Sequence, residues 1–268
     1  MTLRRCRACG FIFQPEASRV LADRALLDGL YAEYVATVPL HLRLNSARVE
    51  KLKKIAGGSL AGKRVLEIGP GTGALGHLIA GAGADYRAVE PFGVCYEAAV
   101  AAFPELRPLI HRGPFGTAGF AEDSFDLVVM TDTLEHIPEP REFLSGLIRF
   151  IGPSGRLYVE VPNESIFPLK AFVRRLFGMY GRGYPTNPEH RSLFTPRTLA
   201  LLLKRCGYHA LGVEEDSVWG DPTRMRIAFG GRPPLAVTLG SWFFRLTKLD
   251  LALGQGVIAA TAVPGQGP

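Results

Sequence analysis

Residues 65–73 read Val65-Leu66-Glu67-Ile68-Gly69-Pro70-Gly71-Thr72-Gly73. An apolar run of strand length passes into a glycine-rich turn, and the residues that follow, Ala74–Ala82, are spaced as a helix. Gly69, Gly71 and Gly73 allow a tight turn and let a ligand approach main-chain atoms that a Cβ would shield. In a parallel sheet such a turn stands outside the carboxyl ends of the strands, at the switch point where ligands bind. The segment therefore predicts both a fold and a place for a ligand.

Outward from this segment, strand and helix signals alternate, the pattern of a parallel sheet with crossover helices. Strands are expected at Arg64–Ile68, Tyr86–Val89, Leu109–His111, Phe125–Thr131, Gly155–Val161 and Tyr208–Val213, with a last, antiparallel strand at Val257–Val263. Helices are expected near Ala74–Ala82, Val94–Phe103, Pro140–Ile151 and Pro196–Cys206. Pro104, Pro138, Pro153, Pro162 and Pro196 punctuate element ends. The expectation is a doubly wound α/β domain over 58–268, built on a mostly parallel seven-stranded sheet with an insertion at 163–195 after the fifth strand. Residues 1–57 form an N-terminal cap segment that carries two cysteines and, from Ser18 to Gly57, helical periodicity.

With 268 residues, 47% of them hydrophobic and 21% charged, the chain can bury one large core. Lys and Arg number 31 against 25 Asp and Glu, an excess too small to argue for a nucleic-acid partner, and no RNA-binding appendage is visible. Four cysteines (Cys6, Cys9, Cys95 and Cys206) do not make a disulfide scaffold. The first residues lack the apolar core of a signal peptide, and the run Pro234–Phe244 is too short to span a bilayer, so a cytoplasmic location is expected. Cys6-Arg-Ala-Cys9-Gly10 followed by Phe11-Ile-Phe13 has the cadence of a zinc-knuckle hairpin. A tetrahedral zinc needs four ligands and a second C-x2-C is missing, so the pair reads as half of a ribbon.

The identity of the ligand turns on two acids. Gly71-Thr-Gly73-Ala-Leu-Gly76 satisfies G-x-G-x-x-G, so a dinucleotide is one candidate. Glu67, two residues before the first glycine, would repel a pyrophosphate and attract a cationic ligand bearing an amino group and a sulfonium. Glu90 ends the next strand, 21 residues after Gly69, where a carboxylate accepts ribose hydroxyls of adenosyl and nicotinamide cofactors alike. Glu67 decides.

These residues resemble class I S-adenosylmethionine-dependent methyltransferases. The match runs from Val65–Gly73 through Glu90, Ser124–Met130, Leu134-Glu135-His136-Ile137 and Gly152–Tyr158, in that family's order and spacing. The resemblance implies a Rossmann-like methyltransferase fold in which Glu67 and the Gly69–Gly73 backbone hold the methionine part of S-adenosylmethionine. It implies that Glu90 holds the ribose, that Phe92 lines the adenine, and that Thr131 and the residues after it face the methyl group. Where many relatives carry an acid for the adenine amine, this chain has Pro114, so a backbone carbonyl or Thr117 is expected to make that contact.

Methyl transfer from a sulfonium is an in-line displacement, and alignment alone is worth an effective molarity of ~10⁵ M or more. A hydroxyl acceptor must also lose its proton, to a base or beside a metal. In a helical turn Asp132, Glu135 and His136 would share one face at i, i+3 and i+4. His136 is the best single base, because its pKa lies near neutrality. Asp132-x-x-Glu135-His136 with a distant His190 also resembles the metal-binding arrangement of magnesium-assisted 2′-O-methyltransferases and of ubiquinone-biosynthesis O-methyltransferases. That resemblance implies Mg2+ held by Asp132, Glu135, His136 and His190; the plainer alternative is that Leu-Glu-His shapes the cofactor pocket.

The insertion contains Ile166–Phe177, with apolar residues at helical spacing and Lys170, Arg174 and Arg175 opposite. Such a helix serves as a lid, lies on an anionic membrane, or packs on its own domain. Glu189-His190 through Thr195, the C-x2-C-Gly start and Tyr31-x2-Tyr34 are similar to stretches of glycan and natural-product methyltransferases. The expected activity is methylation of a hydroxyl on a small-molecule acceptor: a sugar, a lipid-linked glycan or a phenolic metabolite. The rivals are a nicotinamide-dependent oxidoreductase and a non-catalytic scaffold that binds the cofactor.

Overall fold

Strands covered on both faces need apolar residues on both, and the central runs supply them. In the computed structural model, which describes residues 3–15, 38–165, 190–217 and 256–265, the chain opens with β1 (Arg4–Arg5), β2 (Ile12–Phe13) and α1 (Val38–Ile55). Then come β3 (Arg64–Ile68), α2 (Ala74–Gly81), β4 (Asp85–Glu90), α3 (Gly93–Ala102), β5 (Ile110–Arg112) and β6 (Phe125–Thr131). The second half holds α4 (Pro140–Leu147), β7 (Ile151–Pro162), β8 (Ser192–Leu193), α5 (Pro196–Arg205), β9 (Tyr208–Ser217) and β10 (Gly256–Pro264).

Seven strands form one sheet in the order β5-β4-β3-β6-β7-β10-β9. β3 runs parallel to β4 and β6, and β6 parallel to β7, while β10 lies antiparallel between β7 and β9. The chain winds outward from β3 in both directions, so the carboxyl end of β3 is the switch point. Helices α1, α2 and α3 cover the face carrying Val65, Leu127, Val129 and Tyr158. Helices α4 and α5 cover the other, around Leu66, Val128, Met130 and Leu157. The doubly wound, mostly parallel seven-stranded sheet is the one expected. Alternation along β3 places Glu67 on the α1–α2 face.

Some boundaries move. α4 ends at Leu147 and its last turn tightens to a 3₁₀ turn over Ile148–Phe150. β7 begins at Ile151, before the expected Gly155, with an irregular register against β6 between Phe125 and Leu127. A second, three-stranded sheet joins β1, β2 and β8. It pairs Ile12 with Leu193 and Phe13 with Ser192, tying the start of the chain to the strand after the insertion. The cysteine hairpin therefore forms, but among the described residues no third His, Cys or carboxylate completes a metal site beside Cys6 and Cys9. The expected helix at Ile166–Phe177 and the pair Tyr31 and Tyr34 lie outside the described residues. No helix among the described residues is long and apolar enough to cross a membrane.

Candidate active site

The glycine turn follows β3 with φ of +72° at Gly69, +55° at Gly71 and +76° at Gly73, a region that glycine enters without strain. At Gly69 space matters as well. A Cβ there would come within 2.8 Å of Thr133 Oγ1. That hydroxyl lies 3.1 Å from the Ile68 carbonyl and 2.9 Å from the Thr131 carbonyl, and donates at the join of β3 and β6.

Glu67 is buried beneath this turn and accepts a hydrogen bond of 2.6 Å from the Tyr86 hydroxyl. Burial pushes its carboxyl up to about 7, against the pull of Tyr86 and Arg48. Gly76 makes the room for the pair, since a Cβ there would run into the Tyr86 hydroxyl and stand 3.1 Å from Glu67 Oε2. The third glycine of G-x-G-x-x-G thus serves a carboxylate–phenol contact rather than a pyrophosphate. Glu90, at the end of β4, accepts from the Gly71 N–H (3.3 Å) and the Phe92 N–H (3.0 Å), and burial pushes it up to about 7. The Cys95 side chain also bonds to this carboxylate, and the three bonds oppose the effect of burial. Phe92 follows with an open ring, 41% exposed. The Thr117 hydroxyl is engaged within its own loop, donating to the Pro114 carbonyl at 2.8 Å and meeting His111 Nε2 at 2.9 Å.

Helix α1 brings residues that sequence reasoning did not single out. His41, Asn45 and Arg48 recur at i, i+4 and i+7, on one side of the helix. His41 Nδ1 lies 3.5 Å from Thr72 Oγ1 on the glycine turn. Arg48 donates to Asn45 Oδ1 (2.8 Å), to Glu160 Oε1 (3.0 Å from Nε) and to Asp132 Oδ2 (3.1 Å). Tyr158 donates to the other oxygen of Glu160 at 2.7 Å. Burial alone would lower the Arg48 pKa, but Glu160 and Asp132 outweigh it and hold the guanidinium well above its ordinary range. The available signal was a polar stripe running beside the buried Val49 and Leu52 of the same helix.

Asp132 departs from the helical face expected of it. Its φ is +49°, and the chain enters a 3₁₀ turn only at Leu134–His136. The i, i+3, i+4 set is broken there, and the Asp132 carboxylate pairs with Arg48.

Three donors do come together. Carboxylate and imidazole atoms of Glu135, His136 and His190 lie within 4.8 Å of one another. The His136 and His190 rings meet edge to face at 4.9 Å, and His190 Nε2 stands 3.9 Å from Glu135 Oε1, beyond hydrogen-bond reach. Glu135 is buried and neither of its carboxylate oxygens has a hydrogen-bond partner. Burial first, then Asp132, push its carboxyl well above the usual range. The small sheet holds His190 in place: the Arg191 N–H donates to the Glu135 carbonyl (2.8 Å) and the Gln14 N–H to the Arg191 carbonyl (2.8 Å). So Glu67, the glycine turn, Glu90, Phe92 and Thr131 gather at the carboxyl edge of β3, β4 and β6, with the Glu135 cluster beyond β6.

A sheet of this order with a glycine turn at its switch point defines a doubly wound, Rossmann-like α/β protein. Residues 40–212 match the family described as a methyltransferase domain, and the chain belongs to that family. It is similar to a ubiquinone biosynthesis O-methyltransferase of Aeromonas salmonicida, 28% identical over 179 residues that cover 63% of this chain and 71% of that one. The mitochondrial ubiquinone biosynthesis O-methyltransferase of Schizosaccharomyces pombe is 31% identical over 134 residues, 47% of this chain and 48% of that one. Among solved structures, a SAM-dependent methyltransferase of Thermotoga maritima shares the fold with a TM-score of 0.55 at 18% identity, over 86% of this chain and 95% of that one. The protein is a class I S-adenosylmethionine-dependent methyltransferase.

Proposed function

We propose that the protein transfers the methyl group of S-adenosylmethionine to a hydroxyl of a small molecule, with a divalent cation held by Glu135, His136 and His190. The observation that carries this reading is Glu135, whose buried carboxylate has no hydrogen-bond donor on either oxygen. An unpaired carboxylate in a buried site is costly unless it stays protonated or meets a cation, and two imidazoles stand beside it. One carboxylate with two imidazoles suits Mn2+, Fe2+ or Zn2+ better than Mg2+, which prefers oxygen ligands and keeps its waters.

S-adenosylmethionine would supply the methyl group, and an ion at the Glu135 cluster would lower the pKa of an acceptor hydroxyl. The chain's own residues do the rest. Glu67 offers a negative charge beneath the turn for the amino group, and the Glu90 carboxylate accepts from ribose hydroxyls. Phe92 presents its ring to the adenine. Arg48 keeps Asp132 and Glu160 fixed at the mouth of the site. The curated relatives are named for O-methylation, which favours a phenolic or sugar hydroxyl as acceptor. A cytoplasmic setting belongs to the same reading, and so does the lack of a nucleic-acid partner, which the modest net charge of +6 supports.

The test is to strip the protein with EDTA and follow melting temperature and methyl transfer as Mn2+, Zn2+ or Mg2+ is returned. Mn2+ or Zn2+ should raise the melting temperature more than Mg2+ does, and His190→Ala should abolish the rise. Unchanged melting and full methyl transfer in EDTA would replace the metal with His136 acting alone as base.

A further inference from the structure

We propose that Cys6 and Cys9 form a reversible dithiol–disulfide pair, closed by an anionic low-molecular-weight disulfide of the oxidised-glutathione class, and that closing it staples the strand that follows His190. The pair sits in the turn of the β1–β2 hairpin, where the Cys6 N–H donates to the Phe11 carbonyl (2.8 Å) and the Gly10 N–H to the Cys6 carbonyl (2.9 Å). Both thiols are free and part-exposed, whereas Cys95 and Cys206 are buried. The N–H groups of Cys9 and Ala8, then the Cys9 thiol, pull the Cys6 thiol below its ordinary value, which favours the nucleophilic thiolate. Cys6 and Cys9 line a cavity of about 610 Å³ together with Arg5, Arg7, Arg197 and Thr198 among others. Three arginines that line one cavity with a dithiol favour a reagent that carries carboxylates.

The exchange balances without further reagents. The Cys6 thiolate attacks one sulfur of the small disulfide; a protein–reagent S–S bond forms, the reagent's own S–S bond breaks, and one thiolate leaves. The Cys9 thiolate then attacks the Cys6 sulfur and expels the second thiolate. Two protein thiols are oxidised, one small disulfide is reduced to two thiols, and the two protons pass from the protein to the leaving groups.

The hairpin is mechanically linked to the active site. β2 pairs with β8 through Ile12–Leu193 and Phe13–Ser192, and the Phe11 ring packs on Phe194 at 5.5 Å between centroids. From there the Gln14 N–H bonds to Arg191, and the Arg191 N–H bonds to the Glu135 carbonyl. Opening of the hairpin breaks the Gln14 bond directly and leaves the segment that carries Arg191 without its partner strand, which loosens the second amide in turn. A cross-link that spans only this short turn restricts its open ensemble, slowing exchange of those amides on the order of ten-fold.

The full chain is equilibrated with reduced and oxidised glutathione, alkylated, digested and weighed, and the same samples are followed by amide hydrogen exchange. The peptide holding Cys6 and Cys9 should escape alkylation and weigh less by two hydrogens, and dithiothreitol should reverse this. Cys95 and Cys206 should remain alkylatable after unfolding. The Gln14 and Arg191 amides should exchange on the order of ten-fold more slowly in the oxidised form, with no change in a Cys6→Ser, Cys9→Ser chain treated identically. Thiols that stay reduced, a mixed disulfide that never resolves, a zinc ion that protects the pair, or a disulfide that leaves both amides unmoved would each overturn the proposal.

Discussion

At the scale of single residues, Glu67 and Glu90 carry the pH dependence expected of the site. Glu67 and Glu90 are both pushed up to about 7 from an ordinary 4.5, each first by burial. A raised carboxyl pKa in the folded state means that the stability these acids leave intact is full below about pH 4.5 and declines as pH rises through about 7. The ligand-free protein should therefore melt at a lower temperature at pH 8 than at pH 6. A ligand ammonium on Glu67 favours its charged form, so the rise in melting temperature caused by S-adenosylhomocysteine should grow over the same window. Melting curves with and without ligand across that range check both signs. Glu67→Gln removes the buried charge: the free protein should become more stable at pH 8, while affinity for S-adenosylhomocysteine, read by calorimetry, falls by about ten-fold or more. Gly76→Ala forces a Cβ onto Tyr86 and should cost about 1–3 kcal/mol in denaturant unfolding. Glu67 and Glu90 were legible in the sequence because their distance from the glycines is fixed by strand and turn geometry. Tyr86 was not, because a tyrosine near the start of a strand, between Asp85 and Arg87, reads as core, and only the fold brings it to Glu67. Asp132 was misplaced because a left-handed residue between strand and turn leaves no local signal when it is not glycine.

At the scale of elements, α1 is the part that completes the site. Its apolar residues were readable from their spacing, but the stripe His41, Asn45 and Arg48 looks like any solvated face until the helix is laid over the sheet edge. Arg48 then meets Glu160, which is 1% exposed. Removing one member of a buried ion pair leaves the other uncompensated, so Arg48→Ala should cost about 3–5 kcal/mol of stability, measured by the shift of the denaturant midpoint. A double variant with Glu160→Gln should recover part of that loss, because the stranded charge is gone. The same logic explains β8: two residues long, it has no propensity signal of its own, yet it fixes His190 through pairing with β2.

At the scale of the whole molecule, the doubly wound, mostly parallel seven-stranded sheet was readable from alternating strand and helix signals, because a right-handed crossover rule leaves few ways to wind such a chain. What could not be read was the small sheet, whose partners Ile12 and Leu193 are remote in sequence and joined only by the fold. That sheet links the cap to the carboxyl edge, so the site draws on the start, the middle and the later part of the chain. In the function proposed, a buried acid ahead of the glycine turn selects an adenosyl ligand that carries an ammonium group over one that carries a pyrophosphate. Titration calorimetry of the purified chain with S-adenosylhomocysteine and, separately, with NADH tests it most directly. Saturable binding of S-adenosylhomocysteine, matched by a stabilisation of about 2.7 kcal/mol at a hundred-fold excess over Kd, and no heat from NADH is the result predicted. Saturable binding of NADH with none of S-adenosylhomocysteine would contradict it.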